Sequence, residues 1–303
     1  MKLGPVEDEA VCGGLVDAAK RGVAVRMVYN LDHAKMLPPP PRTDPAAVEA
    51  LPFPTRAVPG VPDLMHHKFV VRDGSCVWTG STNWTTDSWT REENVIVTVD
   101  SVDVAARYLE DFEQLWRTQD VSKSGRVAPG EGDIRAWFCP GRGDRLAHRI
   151  ADAIGAARRR VRIASPVITS APILGTLAEA AGDGKVDIAG VVDSTQIAEV
   201  IAQWRAKGKS SWKEPLLRAV LTRAPFSGKR STPYTPDSVH DYMHAKVAVC
   251  DDVAFVGSFN LSHSGEQNAE NVLEIRDGAI AERLAAFVDE IRARYPAVSL
   301  PAT

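Results

Sequence analysis

The chain has 303 residues, enough for one large domain or two lobes of ordinary size. It is 44% hydrophobic and 25% charged, a globular composition without a signature of disorder. Its net charge of −3 gives no global attraction to nucleic acid or anionic membrane, so any pull on an anion must be local. Cys12, Cys76, Cys139 and Cys250 are too few and too scattered for a disulfide framework, and no CxxC pair points to a metal. Cys76 and Cys250 lie in apolar strand-like runs and read as buried, inert thiols. No run approaches the roughly 18 apolar residues of a membrane span, and residues 1–14 lack an apolar signal core. A cytoplasmic, reducing setting fits this pattern; an incomplete N-terminus would leave secretion open.

In chain order, an amphipathic helix at 11–19 leads to a β-branched run at 23–29 that reads as a buried strand. Residues 37–62 carry Pro38, Pro39, Pro40, Pro41 and five further prolines, and are expected to be irregular or polyproline-like. A strand then opens at Met65-His66-His67-Lys68 and runs to Asp73, and Gly80-Ser81-Thr82-Asn83 ends the next. A strand at 95–99 and a helix at about 102–117 complete the first half. The polar stretch 122–133, with Gly and Pro, reads as a connector, giving lobes of 1–128 and 129–303.

The second half opens with a helix and strand within 145–168 that have no counterpart in the first. From there the pattern repeats: a helix around 176–181, a strand at 186–192, and a helix-like stretch at 195–207 with a polar, basic loop reaching 242. Met243-His244-Ala245-Lys246 leads to Asp251, then come Gly257-Ser258-Phe259-Asn260, Glu270-Asn271, a strand and a helix at about 279–295. Asn to Glu spans ten residues in both copies, Asn83 to Glu93 and Asn260 to Glu270. Internal repetition of strands alternating with helices predicts two similar layered α/β lobes.

Residues two apart on a strand share a face, so His66 projects with Lys68 and His244 with Lys246. An imidazole beside an ammonium, twice over, suits a phosphodiester: lysines hold the non-bridging oxygens, one imidazole attacks, the other protonates the leaving alkoxide. Glu93 and Glu270 are candidates to bind the far ring nitrogens and fix the tautomer. Ser81, Asn83, Ser258 and Asn260 follow a strand-ending Gly and are candidate phosphate donors.

His-x-Lys-x4-Asp followed by Gly-Ser-x-Asn, in duplicate, resembles the HKD motif of the phospholipase D superfamily, and the resemblance covers nearly the whole chain. It implies two α-β-α lobes related by a pseudo-twofold axis, with the site at their interface. It also implies a covalent phosphohistidine, release by water or an alcohol, and no cofactor or metal. By position in the family pattern, His66 looks like the nucleophile and His244 the general acid, although near-symmetry permits the reverse. Asp73 and Asp251 match the motif Asp but stand five residues past Lys, too far for phosphate, and read as structural.

Plainer readings compete at several positions. His67 faces away from His66 and reads as a satisfied polar group; a zinc site of His66, His67 and His244 lacks a carboxylate or thiol at ligand spacing. His33 and His263 read as surface or loop residues, and Arg158-Arg159-Arg160 as a basic helix end. Trp84 and Trp89 read as packing, with an aromatic rim to the substrate groove as the alternative. Lys207, Lys209, Lys213, Lys229 and Arg230 read as a solvated loop rather than a headgroup contact. The expected partner is a phosphodiester, phospholipid first, with a transient membrane-surface contact and a monomeric chain. A nuclease of the same superfamily is the alternative, disfavoured by the slightly acidic charge. A lipid- or nucleic-acid-binding module without turnover is the third reading.

Overall fold

The computed structural model describes residues 9–32, 45–235 and 237–302. The first half runs α1 (Glu9–Lys20), β1 (Met27–Asn30), α2 (Pro45–Glu49), β2 (Thr55–Val58), β3 (Phe69–Arg72), β4 (Cys76–Gly80), α3 (Thr86–Thr90), β5 (Ile96–Asp100) and α4 (Val102–Thr118). A short 3-10 turn, Val121–Lys123, leads to β6 (Ile134–Phe138), α5 (Gly143–Ala156), β7 (Arg160–Ala164), α6 (Ala171–Asp183) and β8 (Asp187–Asp193). Then follow α7 (Ser194–Lys207), α8 (Lys213–Arg223), β9 (Phe226–Lys229), β10 (Val247–Cys250), β11 (Val253–Gly257), α9 (His263–Gln267), β12 (Asn271–Arg276) and α10 (Gly278–Arg294). No helix among the described residues is long and apolar enough to cross a membrane.

The second half forms one seven-stranded sheet in the order β6-β12-β11-β10-β7-β8-β9. β7, β8 and β9 pair in parallel, and the remaining pairs are antiparallel. Strands such as β8, Asp-Ile-Ala-Gly-Val-Val-Asp, are apolar on both faces because helices cover both. Ile163 and Val161 of β7 join Leu146 of α5 and Leu174 of α6 on one side; Val247 and Val249 of β10 join Leu284 and Val288 of α10 on the other. The long helices begin where side chains satisfy their first amides: Ser101 accepts from Val104 N, and Asp277 from Ala279 N and Ile280 N.

Among the described residues, the first half repeats part of this plan. Its strands form two separate sheets, β1-β2 and β3-β4-β5. By chain order β1 answers to β8, β3 to β10 and α4 to α10, while β6, α5 and β7 have no counterpart among the described residues. β7 is the strand that joins β10 to β8 in the second half; among the described residues no strand joins β3 to β1. The sequence showed the missing helix and strand but not β6, whose few residues merge with the connector.

Two expected loops contain regular structure. Within 37–62, α2 and β2 follow the prolines, and β2 pairs in parallel with β1; Pro38 to Pro41 lie outside the described residues, as does His33. Within 194–242, α7 is followed by α8 and β9 rather than by an open loop. Lys213 and Lys229 are buried there, donating to the carbonyls of Thr169 (2.8 Å) and Arg91 (2.7 Å), whereas Lys207, Lys209 and Arg230 are exposed. Tertiary pairing overrides a polar, proline-punctuated sequence in both segments.

The halves meet through reciprocal bridges, Met65 with Ala269 and Glu93 with Met243. His66 N donates to Ala269 O at 2.8 Å, and His244 N donates to Glu93 O at 3.0 Å, the same bond on each side of a pseudo-twofold axis. His67 points away from this seam and pairs with buried Asp111 of α4 at 2.9 Å. Asp111 also accepts from Gly125 N at 2.7 Å, which ties the connector to α4.

Candidate active site

His66 and Lys68 lie on the extended segment entering β3, and His244 and Lys246 on the one entering β10; all four are buried. Lys68 Nζ donates to the carbonyl of His66 at 2.9 Å, and Lys246 Nζ donates to that of His244. Each lysine thus folds back beside its own histidine.

The histidines are backed differently. Nδ1 of His66 lies 2.8 Å from both carboxylate oxygens of Glu270, which comes from the other half and is fully buried. Nδ1 of His244 lies 3.1 Å from the side-chain oxygen of Asn94 and 3.3 Å from a carboxylate oxygen of Glu92. Asn94 in turn donates to Glu92 at 3.0 Å and to Ser88 O at 3.0 Å, and Ser88 Oγ donates to Glu92 at 2.7 Å. With Nδ1 donating to an acceptor in both rings, Nε2 is the nitrogen whose lone pair could serve chemistry in each.

Glu93 is therefore a correction. Its side chain pairs with Arg294 at 3.3 Å, Lys229 at 4.0 Å and the hydroxyl of Tyr295, joining the lobes away from the histidines. Strand register gives the reason: Gly80 pairs with Ile96, and Gly257 with Val272. Asn94 is thus the positional counterpart of Glu270, and Glu93 that of Ala269. The first copy holds one extra residue after its Gly-Ser, and aligning the two Glu-Asn pairs slides the repeat by one. Glu92 and Asn94 were missed for this reason; unequal Ser-to-partner spacing, Ser81 to Asn94 against Ser258 to Glu270, was the available signal.

Ser81 and Ser258 also depart from expectation. Ser258 Oγ donates to Glu270 at 2.5 Å, and Ser81 Oγ to Asn94 at 2.6 Å, so each orients the partner of a histidine rather than facing a phosphate. Each also accepts a backbone amide, from Asn271 and Val95, which holds it there. Asn83 and Asn260 are half-buried, and the side-chain oxygen of Asn260 is buried without a hydrogen-bond partner.

Asp73 and Asp251 sit in left-handed turns, with φ of 53° and 52°. Asp251 accepts from the amides of Arg158 (2.8 Å), Arg159 (3.0 Å) and Arg160 (3.0 Å), fixing the start of β7. Among the described residues, no segment donates backbone amides to Asp73 in this way. The three arginines lie past the end of α5, where Arg159 pairs with Asp252 and Arg160 with Glu282, both at 2.6 Å. His263 is exposed and pairs with Glu266 at 3.0 Å. Trp84 packs against the α1 and β1 cluster; Trp89 is exposed, 6.4 Å from the ring of Trp78. Cys250 is buried, Cys76 only half so.

Burial sets the electrostatics. Glu270 is pushed up to about 7 by burial, against the pull of Lys68 and the hydrogen bond from Ser258. Lys68 is lowered to about 8 by burial, with Glu270 and Glu92 opposing. Lys246 is held well below its ordinary range by burial and then by Lys68. His244 is likewise held well below its range, by burial first and then by Lys246, Lys68 and His66. Two lysines and two histidines share one buried spot, where Lys68 disfavours charge on Lys246 and all three neighbours disfavour it on His244; an anion would relieve that conflict.

The family described as cardiolipin synthase, PLD-like domain, matches residues 3–116 and 150–292. Mitochondrial cardiolipin hydrolase of Xenopus laevis is 49% identical over 57 residues, 18% of this chain and 27% of that protein. The protein of the same name from Homo sapiens is 40% identical over 63 residues, 20% of this chain and 25% of that one. That of Danio rerio is 30% identical over 115 residues, 36% and 48% of the two chains. The chain thus spans less than half the length of these curated relatives. Among solved structures, Nuc from Salmonella typhimurium aligns with a TM-score of 0.40 and 20% identity, over 54% of this chain and 94% of that one. NucT from Helicobacter pylori aligns with a TM-score of 0.40 and 18% identity, over 55% and 98%. With the family matching most of the chain, including both His-x-Lys segments, the chain belongs to the phospholipase D-like domain family.

Proposed function

We propose that the protein is a phosphodiesterase that cleaves a phospholipid through a covalent phosphohistidine, with His66 as nucleophile and His244 as general acid. The observation that carries this reading is the pair of buried histidines, each held at Nδ1 from across the lobe interface and each flanked by a lysine. Burial and then neighbouring cations disfavour charge on His244, and a bound phosphodiester anion offsets them, so the ring takes up a proton in the complex. Nε2 of His66 then attacks phosphorus, the bond to the leaving oxygen breaks, and His244 gives that oxygen its proton. Glu270 supports the positive charge that forms on the phosphorylated His66 ring. In the second half-reaction His244 takes a proton from water, the resulting oxygen attacks phosphorus, and the phosphorus–nitrogen bond breaks to restore His66. Lys68 and Lys246 hold the non-bridging oxygens, and the unpaired side-chain oxygen of Asn260 leaves that residue open to reorient toward a ligand. Alcohol in place of water would give transfer by the same chemistry.

The lipid assignment draws on relatives named for cardiolipin hydrolysis and on a chain without basic excess. It is tested by offering a bis-aryl phosphodiester, cardiolipin and phosphatidylcholine vesicles, and plasmid DNA, each with EDTA. Turnover of the aryl ester and of vesicles is expected. Cleavage of DNA in preference to vesicles would replace the lipid reading with a nuclease one. Turnover of nothing by folded protein would leave a binding module, and loss of activity in EDTA would contradict the metal-free mechanism.

A further inference from the structure

The crossover from β8 to β9 carries more chain than it needs. The two strands are parallel, so the chain must return from the end of one to the start of the other. α8 makes that return: it begins beside Thr169, just past the end of β7, packs along α6 and leads into β9. α7 and the turn after it therefore stay at the end where β7 and β8 finish. The site lies at that same end, because Val247, next to Lys246, pairs with Ala164, the last residue of β7. Two chains of bonds fix the segment there. Asp193, the N-cap of α7, accepts from the amide of Met243 at 3.0 Å, next to His244. Lys213, which opens α8, donates to Thr169 O at 2.8 Å, and Thr169 N donates to Leu261 O at 2.8 Å, next to Asn260. Residues 194–213 are thus tied at both ends to neighbours of site residues.

The turn between α7 and α8 is basic on a chain of net charge −3. α7 stops at Gly208, left-handed with φ of 69°. Trp204 packs against the core below, and Arg205 is taken by Glu214 at 2.6 Å. What remains on the outside is Lys207, Lys209 and Trp212. Both lysines are exposed, with no carboxylate partner among the described residues. Trp212 is 57% exposed, with Lys213 Nζ 5.6 Å from its ring centroid. An exposed indole between free ammonium groups matches a lipid–water interface: the ring sits at headgroup level and the lysines meet anionic headgroups. We infer that this turn docks the protein on an anionic lipid surface and so brings headgroups to the end of the sheet that carries His244. The inference rests on the phospholipid reading and adds the surface through which that substrate is reached. A polynucleotide fits less well, since it calls for a basic stripe and here two lysines stand free on a single turn. The lysine spacing alone suggests a solvated loop; the tethering of the turn beside the site is what changes that reading.

The test is cosedimentation of the full chain with phosphatidylcholine vesicles, with and without phosphatidylglycerol. Salt-sensitive binding to the phosphatidylglycerol vesicles is expected, tighter than to phosphatidylcholine alone by about tenfold or more. Lys207→Ala combined with Lys209→Ala should weaken it by roughly thirtyfold, at about fivefold for each lysine near an anionic surface. Trp212→Ala should weaken it by about tenfold, the scale of withdrawing part of an aromatic side chain from water. Both variants should turn over a soluble bis-aryl phosphodiester at the unaltered rate. Absence of binding, equal binding to the two vesicles, or binding undiminished in the variants would each overturn the proposal. Variants that lose affinity for a duplex oligonucleotide but not for vesicles would overturn it in favour of a nucleic-acid contact. Loss of aryl-ester turnover in either variant would also overturn it, by placing the turn within the site itself. Vesicle binding that follows these expectations, in a protein that cleaves no phospholipid, would support the docking surface and overturn the phospholipase reading alone.

Discussion

A carboxylate alone backs His66 at 2.8 Å, whereas an amide at 3.1 Å and a more distant carboxylate at 3.3 Å share His244, although the two histidines occupy equivalent places in equivalent lobes. The second half contributes Glu270 directly, oriented by Ser258. The first half contributes Asn94 at 3.1 Å and the Glu92 carboxylate at 3.3 Å, with Ser88 behind both. The same asymmetry extends to the sheets, one continuous through β7 and the other split. A duplicated motif thus need not give two equal groups: what stands behind each ring decides which is better suited to carry a positive charge.

The largest expected effect comes from levelling that difference. Glu270→Gln removes the charge behind His66 and should lower kcat by roughly 10²–10⁴-fold, the range for loss of acid–base or charge support. Asn94→Ala removes a neutral partner and should cost on the order of tenfold. Equal losses in steady-state assays would erase the distinction between the rings.

The pH profile sharpens it further. Glu270, raised to about 7, takes a proton as pH falls through 7 and withdraws the charge behind His66. Lys68, lowered to about 8, loses its charge as pH rises through 8 and weakens phosphate binding. The profile of kcat/KM should therefore be a bell between those values, each limb falling by at most about tenfold per pH unit. Glu270→Gln should flatten the acid limb and move the basic one to lower pH, because Lys68 loses the carboxylate that supports its charge; persistence of the acid limb would assign it elsewhere.

A smaller effect separates the two motif aspartates. Asp251→Ala strips three amides of their acceptor and should destabilise the fold by about 1.5–3 kcal/mol in urea unfolding. Asp73→Ala should change stability by less than about 0.5 kcal/mol, as an exposed site does. Equal destabilisation would mean that Asp73 already holds a segment of the chain.

The sequence made the lobes, both His-x-Lys pairs, Glu270 and the structural part of Asp251 legible because these rest on strand periodicity and on a repeat. Glu92, Asn94 and Ser88 were hidden by one inserted residue, since identity of Glu-Asn in both copies outweighs a length difference when no register is visible. Ser81 and Ser258 were legible as site residues but not in what they touch: a hydroxyl near a phosphate site looks the same whether it faces the ligand or the carboxylate behind the histidine. β2, α8 and β9 were illegible for a different reason. Their residues are polar or proline-rich, and they are strands or helices only because β1, β8 and α6 offer an edge or a face to pack on.

The central claim is that His66 carries the phosphoryl group and His244 moves the proton. Alkaline denaturing quench of a reaction with a phosphorus-labelled aryl phosphodiester, which preserves the acid-labile phosphorus–nitrogen bond, followed by mass spectrometry of the modified peptide, tests it directly. The account expects an adduct on the peptide containing His66, abolished in His66→Asn and accumulating in His244→Asn, whose second half-reaction lacks its base. An adduct on His244, or labelling undiminished in His66→Asn, would contradict it.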